Sequence, residues 1–252
     1  MLAVESLSVR FGGLVANDAI SLRVEPGELV GLIGPNGAGK TTFVDAVTGF
    51  ATYSGSVSLH GQRLDGLAPH QRNRRGLART WQSLELFDEL SVLENLLVST
   101  RRLTTRRVLA DVVHPARRND ERAERWALRI LGLDAFADVE PRVLSLGHAK
   151  LLGVARALAS NPSIVLLDEP AAGLDTRESA ELGRRLREVV AAGVAVLLID
   201  HDMNLVLDIC DRIYVLEFGR VIAEGTPTEV RDDDLVIAAY LGSANATPKE
   251  AS

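Results

Sequence analysis

An apolar run, Leu29-Val30-Gly31-Leu32-Ile33, leads straight into Gly34-Pro35-Asn36-Gly37-Ala38-Gly39-Lys40-Thr41-Thr42. The second segment matches G-x-x-x-x-G-K-[ST] in full. This pattern constrains the fold more than anything else in the chain, because it works only between a strand and a helix. The glycines let the backbone curl so that successive N–H groups point into one concavity. The following helix adds its partial positive charge there. The apolar run supplies the strand, and Thr41 to Thr48 reads as the helix, ended by Gly49. The concavity is an anion site: Lys40 is placed for the β- and γ-phosphates of a nucleotide, and the Thr41 hydroxyl for Mg²⁺. Only three of the 28 basic residues are lysines (Lys40, Lys150, Lys249), which makes a lysine inside this loop the more telling.

Further short apolar runs follow: Ile164–Leu167, Val194–Ile199 and Ile213–Leu216. Runs of this length without alternation suit strands buried on both faces of a parallel sheet. Helical spacing lies between them, as in Leu182, Leu186, Val189 and Val190 before Gly193. Strand–helix alternation predicts a layered α/β core. Val4, Leu7 and Val9 before Gly12-Gly13, and the stretch Gly55–Leu64, predict antiparallel strand pairs at the N-terminal side. The middle reads as helical. Ser91 and Glu94 form a capping-box pattern, and Ala123, Trp126, Ala127, Ile130 and Leu131 make one apolar stripe before Gly132. Residues 88–158 are therefore expected to be a helical subdomain inserted into a core of 1–87 and 159–242, with 243–252 a small, polar, frayed tail.

Ile164–Leu167 ends in Asp168-Glu169-Pro170. Acids at the C-terminal end of a parallel strand lie at the crevice where α/β ligands bind. Adjacent strand residues face opposite ways, so the two can divide the work. Asp168 would hold Mg²⁺ through its water shell, and Glu169 would orient and polarise an attacking water.

Composition narrows the partners. A net charge of −6 argues against nucleic acid as the main ligand. Nine arginines against four acids between Arg101 and Arg129 read as a solvated helical face near a membrane partner. One cysteine, Cys210, excludes an internal disulfide framework and fits a reducing compartment. No apolar run reaches the ~18 residues that cross a bilayer, and no secretory signal is visible in MLAVESLSVRFGG.

The phosphate loop, then Leu144-Ser145-Leu146-Gly147-His148, then Leu166–Asp175 (LLDEPAAGLD), then Ile199-Asp200-His201-Asp202, resembles the ATP-binding cassette family over residues 1–242. Arg79-Thr80-Trp81-Gln82, Leu86-Phe87 and Ala239-Tyr240-Leu241-Gly242 resemble, more narrowly, the ATPase subunits of branched-chain amino acid importers. The resemblance implies a P-loop NTPase (RecA-like) α/β core with N-terminal antiparallel strands and an inserted helical subdomain. It implies ATP held by Gly34 to Thr42 with Phe11 stacked on adenine, although a core role for Phe11 remains open. Gln82 would contact Mg²⁺ or its water, and His201 would touch the γ-phosphate and help fix the water. Catalysis would then rest on Glu169, His201, Gln82 and Lys40, and the metal on Thr41, Gln82 and Asp168. Ser145, Leu146, Gly147 and His148 would form the signature that meets ATP held by a second subunit. Here Leu146 and His148 depart from the commonest form, LSGGQ. Asp175 would belong to the segment crossing between subunits, and it also makes an N-cap pattern with Glu178.

Implied partners are a second cassette ATPase, identical or paralogous, transmembrane permease subunits, and a separate substrate-binding protein. The implied location is the cytoplasmic face of the inner or plasma membrane, reached through the permease. Rival readings are a cassette for another cargo or an exporter, a soluble cassette of DNA repair or translation, a P-loop small-molecule kinase, and a non-catalytic cassette.

Overall fold

The computed structural model describes residues 1–81, 85–100 and 122–240 in full and the backbone of 241–244. In chain order come β1 (Leu2–Phe11), β2 (Leu14–Val24), β3 (Leu29–Ile33), α1 (Lys40–Thr48), β4 (Ser54–Leu59), β5 (Gln62–Arg63), α2 (Pro69–Arg74) and β6 (Leu77–Arg79). Then follow α3 (Val92–Thr100), α4 (Arg122–Ile130), short 3₁₀ turns at Asp134–Phe136 and Pro141–Val143, and α5 (Leu146–Leu158). The chain continues with β7 (Ile164–Asp168), α6 (Thr176–Ala191), β8 (Ala195–Ile199), α7 (Met203–Ile209), β9 (Arg212–Glu217), β10 (Arg220–Gly225), α8 (Pro227–Arg231) and α9 (Asp234–Ala244).

The larger sheet has the order β10-β9-β3-β8-β7-β6, parallel except for β10, and the smaller is antiparallel, β2-β1-β4-β5. The four apolar runs fall on β3, β7, β8 and β9, as their lack of alternation predicts. Period-two geometry splits each strand between two cores. Val30, Leu32, Ile164, Leu166 and Leu197 face α1 and the small sheet, while Leu29, Ile33, Val165, Leu167 and Leu198 face the helical side. Phe43 of α1 fills the first core and is fully buried. The second core runs without a break from the sheet through α5 and α6 into α3 and α4.

Strands β6 and β7 are parallel neighbours, with Leu77 opposite Ile164, and the helical stretch is threaded between them. Its first helix starts with a reciprocal cap: Glu94 accepts from the Ser91 backbone at 2.8 Å, and Ser91 Oγ accepts from the Glu94 backbone at 3.2 Å. The stripe expected on α4 is rotated. Glu124, Ala127, Leu128 and Leu131 are buried, while Trp126 and Ile130 only pack against the core edge. Apolar spacing misplaced the face because Glu124 is itself inside, accepting a hydrogen bond from the Thr100 hydroxyl at 2.5 Å. Most of the arginine-rich stretch and most of the expected frayed tail lie outside the described residues. Among the described residues no helix is long and apolar enough to cross a membrane.

Candidate active site

The loop between β3 and α1 is held from two sides. Gly34 and Gly39 have φ of +148° and +99°, where only glycine is at ease. Space forbids a side chain as well. A Cβ on Gly34 would lie 2.1 Å from the Leu216 carbonyl oxygen, and one on Gly39 2.5 Å from that of Ala16. The buried Asn17 amide donates to the Gly39 carbonyl at 3.1 Å, and the Gly219 N–H donates to the Ala38 carbonyl at 3.0 Å. Strand β2 and the β9–β10 hairpin thus clamp the loop. Lys40 folds back over it, donating from Nζ to the carbonyls of Gly34 at 2.6 Å and Pro35 at 3.1 Å. Burial pushes the Lys40 ammonium below its ordinary pKa, opposed by the charges of Glu169 and Asp168. A buried cation with neutral carbonyl partners is a group that an arriving anion stabilises.

This loop floors a cavity of about 440 Å³ whose lining includes Phe11, Asn36, Gly37 to Thr42, Glu169 and Phe218. That volume lies within the ordinary range for small-molecule sites. Phe11 ends β1 and is 56% exposed, so it is not a core residue.

The two acids separate as strand geometry predicts. Asp168 closes β7, paired with Ile199 of β8, and is buried. Glu169 takes φ of +49°, and its N–H donates to the Ile199 carbonyl at 2.8 Å. That left-handed turn, unusual for a non-glycine residue, brings Glu169 into the cavity lining. Asp168 instead accepts from Arg79 Nη2 at 3.0 Å. Arg79 Nη1 donates to Asp45 of α1 at 2.5 Å and to the Thr48 hydroxyl at 3.3 Å. The guanidinium also lies 4.6 Å from the centre of the Trp81 ring. Burial raises the Asp168 carboxyl pKa, and Arg79 opposes the rise. The buried Asp168 carboxylate offers an oxygen donor of the kind Mg²⁺ takes, and that ion keeps much of its water and needs few protein ligands. No group of three or more His, Cys, Asp or Glu able to hold a metal by themselves occurs among the described residues.

His201 follows β8 and is exposed, with Nδ1 3.7 Å from Asp200 Oδ1. Asp200 is buried and organises the loop. Its Oδ1 accepts from the N–H of His201 at 2.8 Å and Asp202 at 3.0 Å, and its Oδ2 from Ala171 at 3.0 Å. The loop bearing His201 is thereby tied to the turn that follows Glu169.

Ser145 caps α5, its hydroxyl accepting from the His148 N–H at 3.3 Å and lying 3.2 Å from His148 Nδ1. The His148 ring packs on Phe136 with centroids 4.7 Å apart. The Gly147 N–H donates to Glu178 at 3.1 Å. Asp175 caps α6, accepting from the Glu178 N–H at 2.8 Å, so its N-cap pattern is realised. None of Ser145, Leu146, Gly147, His148, Asp175, Asp168 or His201 lines the cavity that holds Lys40 and Phe11. Gln82 lies outside the described residues.

Sequence reasoning gave no role to Arg79, Asp45, Asn17 or Asp200. Asp200 carried a signal, since an acid directly after a buried strand is the feature that singled out Asp168. The others became visible only in space.

Residues 17–172 match the ABC transporter family, and residues 220–246 match the family described as branched-chain amino acid ATP-binding cassette transporter. The chain is 41% identical to the high-affinity branched-chain amino acid transport ATP-binding protein BraF of Pseudomonas aeruginosa, across 97% of this chain and 98% of that one. It is 42% identical to LivG of Salmonella typhimurium, of the same description, with the same coverage. It is also 36% identical to the lipopolysaccharide export system ATP-binding protein LptB of Acidithiobacillus ferridurans, over 96% of this chain and 97% of that one. Among solved structures it resembles a nucleotide-free ATP-binding cassette from an ABC transporter, with a TM-score of 0.83, 29% identity, and coverage of 95% and 98%. The ADP conformation of a cassette matches with the same TM-score, 30% identity, and coverage of 96% and 98%. With the phosphate loop, the paired strand-end acids and these full-length likenesses together, the chain belongs to the ABC transporter family, as an ATPase cassette.

Proposed function

We propose that the chain binds and hydrolyses ATP to power a membrane importer of branched-chain or other hydrophobic amino acids. One observation carries the hydrolytic half: Lys40, the loop amides and Glu169 share one cavity, while the Ser145 end of α5 lies elsewhere on the same chain. A single copy therefore holds a cradle and, separately, a cap. Each needs its counterpart from another copy or a paralogous ATPase, and a head-to-tail two-fold pair supplies both. The helices between β6 and β7 form, on this reading, the subdomain that delivers Ser145 to Gly147 to the partner's nucleotide, with Asp175 near the seam.

The chemistry is positioning plus electrostatics. The amides of Asn36 to Thr42 and the Lys40 ammonium neutralise the phosphates, and Phe11 receives the adenine. Glu169 accepts a hydrogen bond from the attacking water and polarises it, and His201 steadies the γ-phosphate. Thr41, Asp168 and Gln82 would hold Mg²⁺, which supplies charge neutralisation on the β- and γ-phosphates when bound. Loss of the γ-phosphate lets the pair open. Permease subunits convert closure and opening into transport, and they keep the chain at the cytoplasmic face of the membrane. A substrate-binding protein would select the cargo. The full-length likeness to BraF and LivG and the match at 220–246 support the amino-acid cargo. The likeness to LptB favours a second reading, an exporter cassette.

The test is co-purification from gently solubilised membranes, then reconstitution into vesicles. MgATP-driven leucine uptake that disappears in Lys40→Ala supports the importer. Glu169→Gln should retain ATP and turn over at least about 10²-fold more slowly, the usual scale of general-base help. Co-purification of lipid-export components, with no leucine uptake, would favour the second reading.

A further inference from the structure

Strands β9 and β10 are joined by two residues only, Phe218 and Gly219, with Glu217 opposite Arg220. Both turn residues have positive φ, +45° and +78°. That is the type I′ hairpin pattern, whose first position favours Asn, Asp or Gly because they tolerate the left-handed region. A phenylalanine there is strained, and folding returns nothing for it. The ring is 86% exposed, more than any other large apolar side chain among the described residues.

The strained tip is nevertheless rigidly placed. Gly219 donates to Ala38 of the phosphate loop at 3.0 Å and accepts from the Asp18 N–H at 2.8 Å. Arg220 grips the Asp18 carboxylate through Nε at 2.9 Å and Nη2 at 2.6 Å. The backbone that carries Phe218 is thereby fixed at the rim of the cavity floored by Lys40, and Phe218 is part of that cavity's lining. A second hairpin tip lines the same cavity: Phe11 and Leu14, paired across Gly12-Gly13, are also exposed. Among the described residues, neither Phe11 nor Phe218 stacks on another ring. Two hairpin tips thus present uncommitted aromatic rings at the mouth of a phosphate site. On the nucleotide reading, the moiety that emerges there when phosphates sit on the loop is the flat, aromatic base.

Resting on the nucleotide reading above, we propose that Phe218 is a second aromatic wall of the nucleobase subsite, which holds the base between the two hairpin tips. The chain then binds nucleotides through their base from both hairpins and not from Phe11 alone.

Calorimetric titration of the full chain with ADP and with inorganic tripolyphosphate, which has no base, tests this. Phe218→Asn puts a residue the turn prefers in place of the ring, so its melting temperature should equal or exceed that of the unaltered chain. It should weaken ADP binding about tenfold, the scale of one base–aromatic stack, and leave tripolyphosphate binding unchanged. Phe218→Trp should restore ADP affinity and show fluorescence quenching on ADP but not on tripolyphosphate. Unaltered ADP affinity in Phe218→Asn overturns the proposal, as does equal weakening of both ligands. So does a variant that binds ADP normally but loses only ATP-driven pairing of the Glu169→Gln chain, which would make Phe218 a partner contact. If the unaltered chain binds neither ligand, the nucleotide reading itself falls, and that outcome is recognisable before any Phe218 variant is made.

Discussion

Replacing Arg79 with Leu removes the cation that is ion-paired with Asp168, and the structure sets the size of the loss. Both side chains of that pair are nearly closed to solvent, at 7% and 6% exposure. Deleting one partner of a buried pair costs about 3–5 kcal/mol, because the other charge is left uncompensated. The Asp45 arm is more open, with the carboxylate 36% exposed, and adds no more than about 1 kcal/mol. A total near 4 kcal/mol should lower the melting temperature of a 252-residue chain by roughly 8–16 °C. Urea unfolding of the nucleotide-free protein, followed by far-UV circular dichroism, reads it without relying on Trp81, which touches Arg79. The double variant Arg79→Leu with Asp168→Asn leaves no uncompensated carboxylate at the end of β7. It should recover about 2 kcal/mol of the single-variant loss, a coupling that independent sites do not show. The pH dependence has a definite sign. Burial already raises the Asp168 carboxyl pKa in the folded state, and loss of Arg79 raises it further. The folded chain then binds more protons than the unfolded one just above the ordinary carboxylate value, so stability falls as pH rises through that window. The Arg79→Leu deficit should accordingly shrink on acidification toward about pH 4. A loss under about 1 kcal/mol, or strict additivity in the double variant, would show that Arg79 and Asp168 are neighbours without energetic consequence.

Two glycines of the same loop should behave differently toward alanine. Gly39→Ala must place a Cβ 2.5 Å from the Ala16 carbonyl oxygen and should cost more than about 2 kcal/mol. Gly37→Ala, at φ of +81° but with nothing within 4 Å, should cost only the left-handed strain of about 1–2 kcal/mol. Denaturant midpoints of the two variants decide it. Burial raises the Cys210 thiol pKa, so thiol reagents should leave it unmodified in the native chain and label it on unfolding, as mass spectrometry can follow. Asp65 is partly desolvated, but hydrogen bonds from Tyr53, Arg63 and the Val57 N–H outweigh that and hold its carboxyl below the ordinary range. Its contribution is present above the unfolded-state value and lost as pH falls through the folded one. Asp65→Asn should therefore flatten the acid limb of the stability curve measured between about pH 5 and 2.

The strands that carry Lys40, Asp168 and His201 were legible because each is buried on both faces. That condition leaves an unbroken apolar run, and the chemistry sits at its C-terminal end. The caps at Ser91 and Asp175 were legible for a related reason: a cap satisfies amides two or three residues away, so both partners lie in one short window. The Arg79 network follows the opposite rule. Its partners Asp45 and Asp168 are 34 and 89 residues distant, and they meet only because β6 lies beside β7 across the whole helical stretch. No periodicity encodes that adjacency. Glu124 on α4 illustrates the same limit from another side, since its burial depends on Thr100, 24 residues earlier on another helix. Parallel sheets therefore divide their own legibility. Each strand end announces one reactive group, while the groups that neutralise it come from strands brought alongside by long crossovers. Phe218 escapes even that rule: its signal was local, an aromatic where a tight hairpin favours Asn, and it acquires meaning only once the hairpin is seen to rest on Ala38.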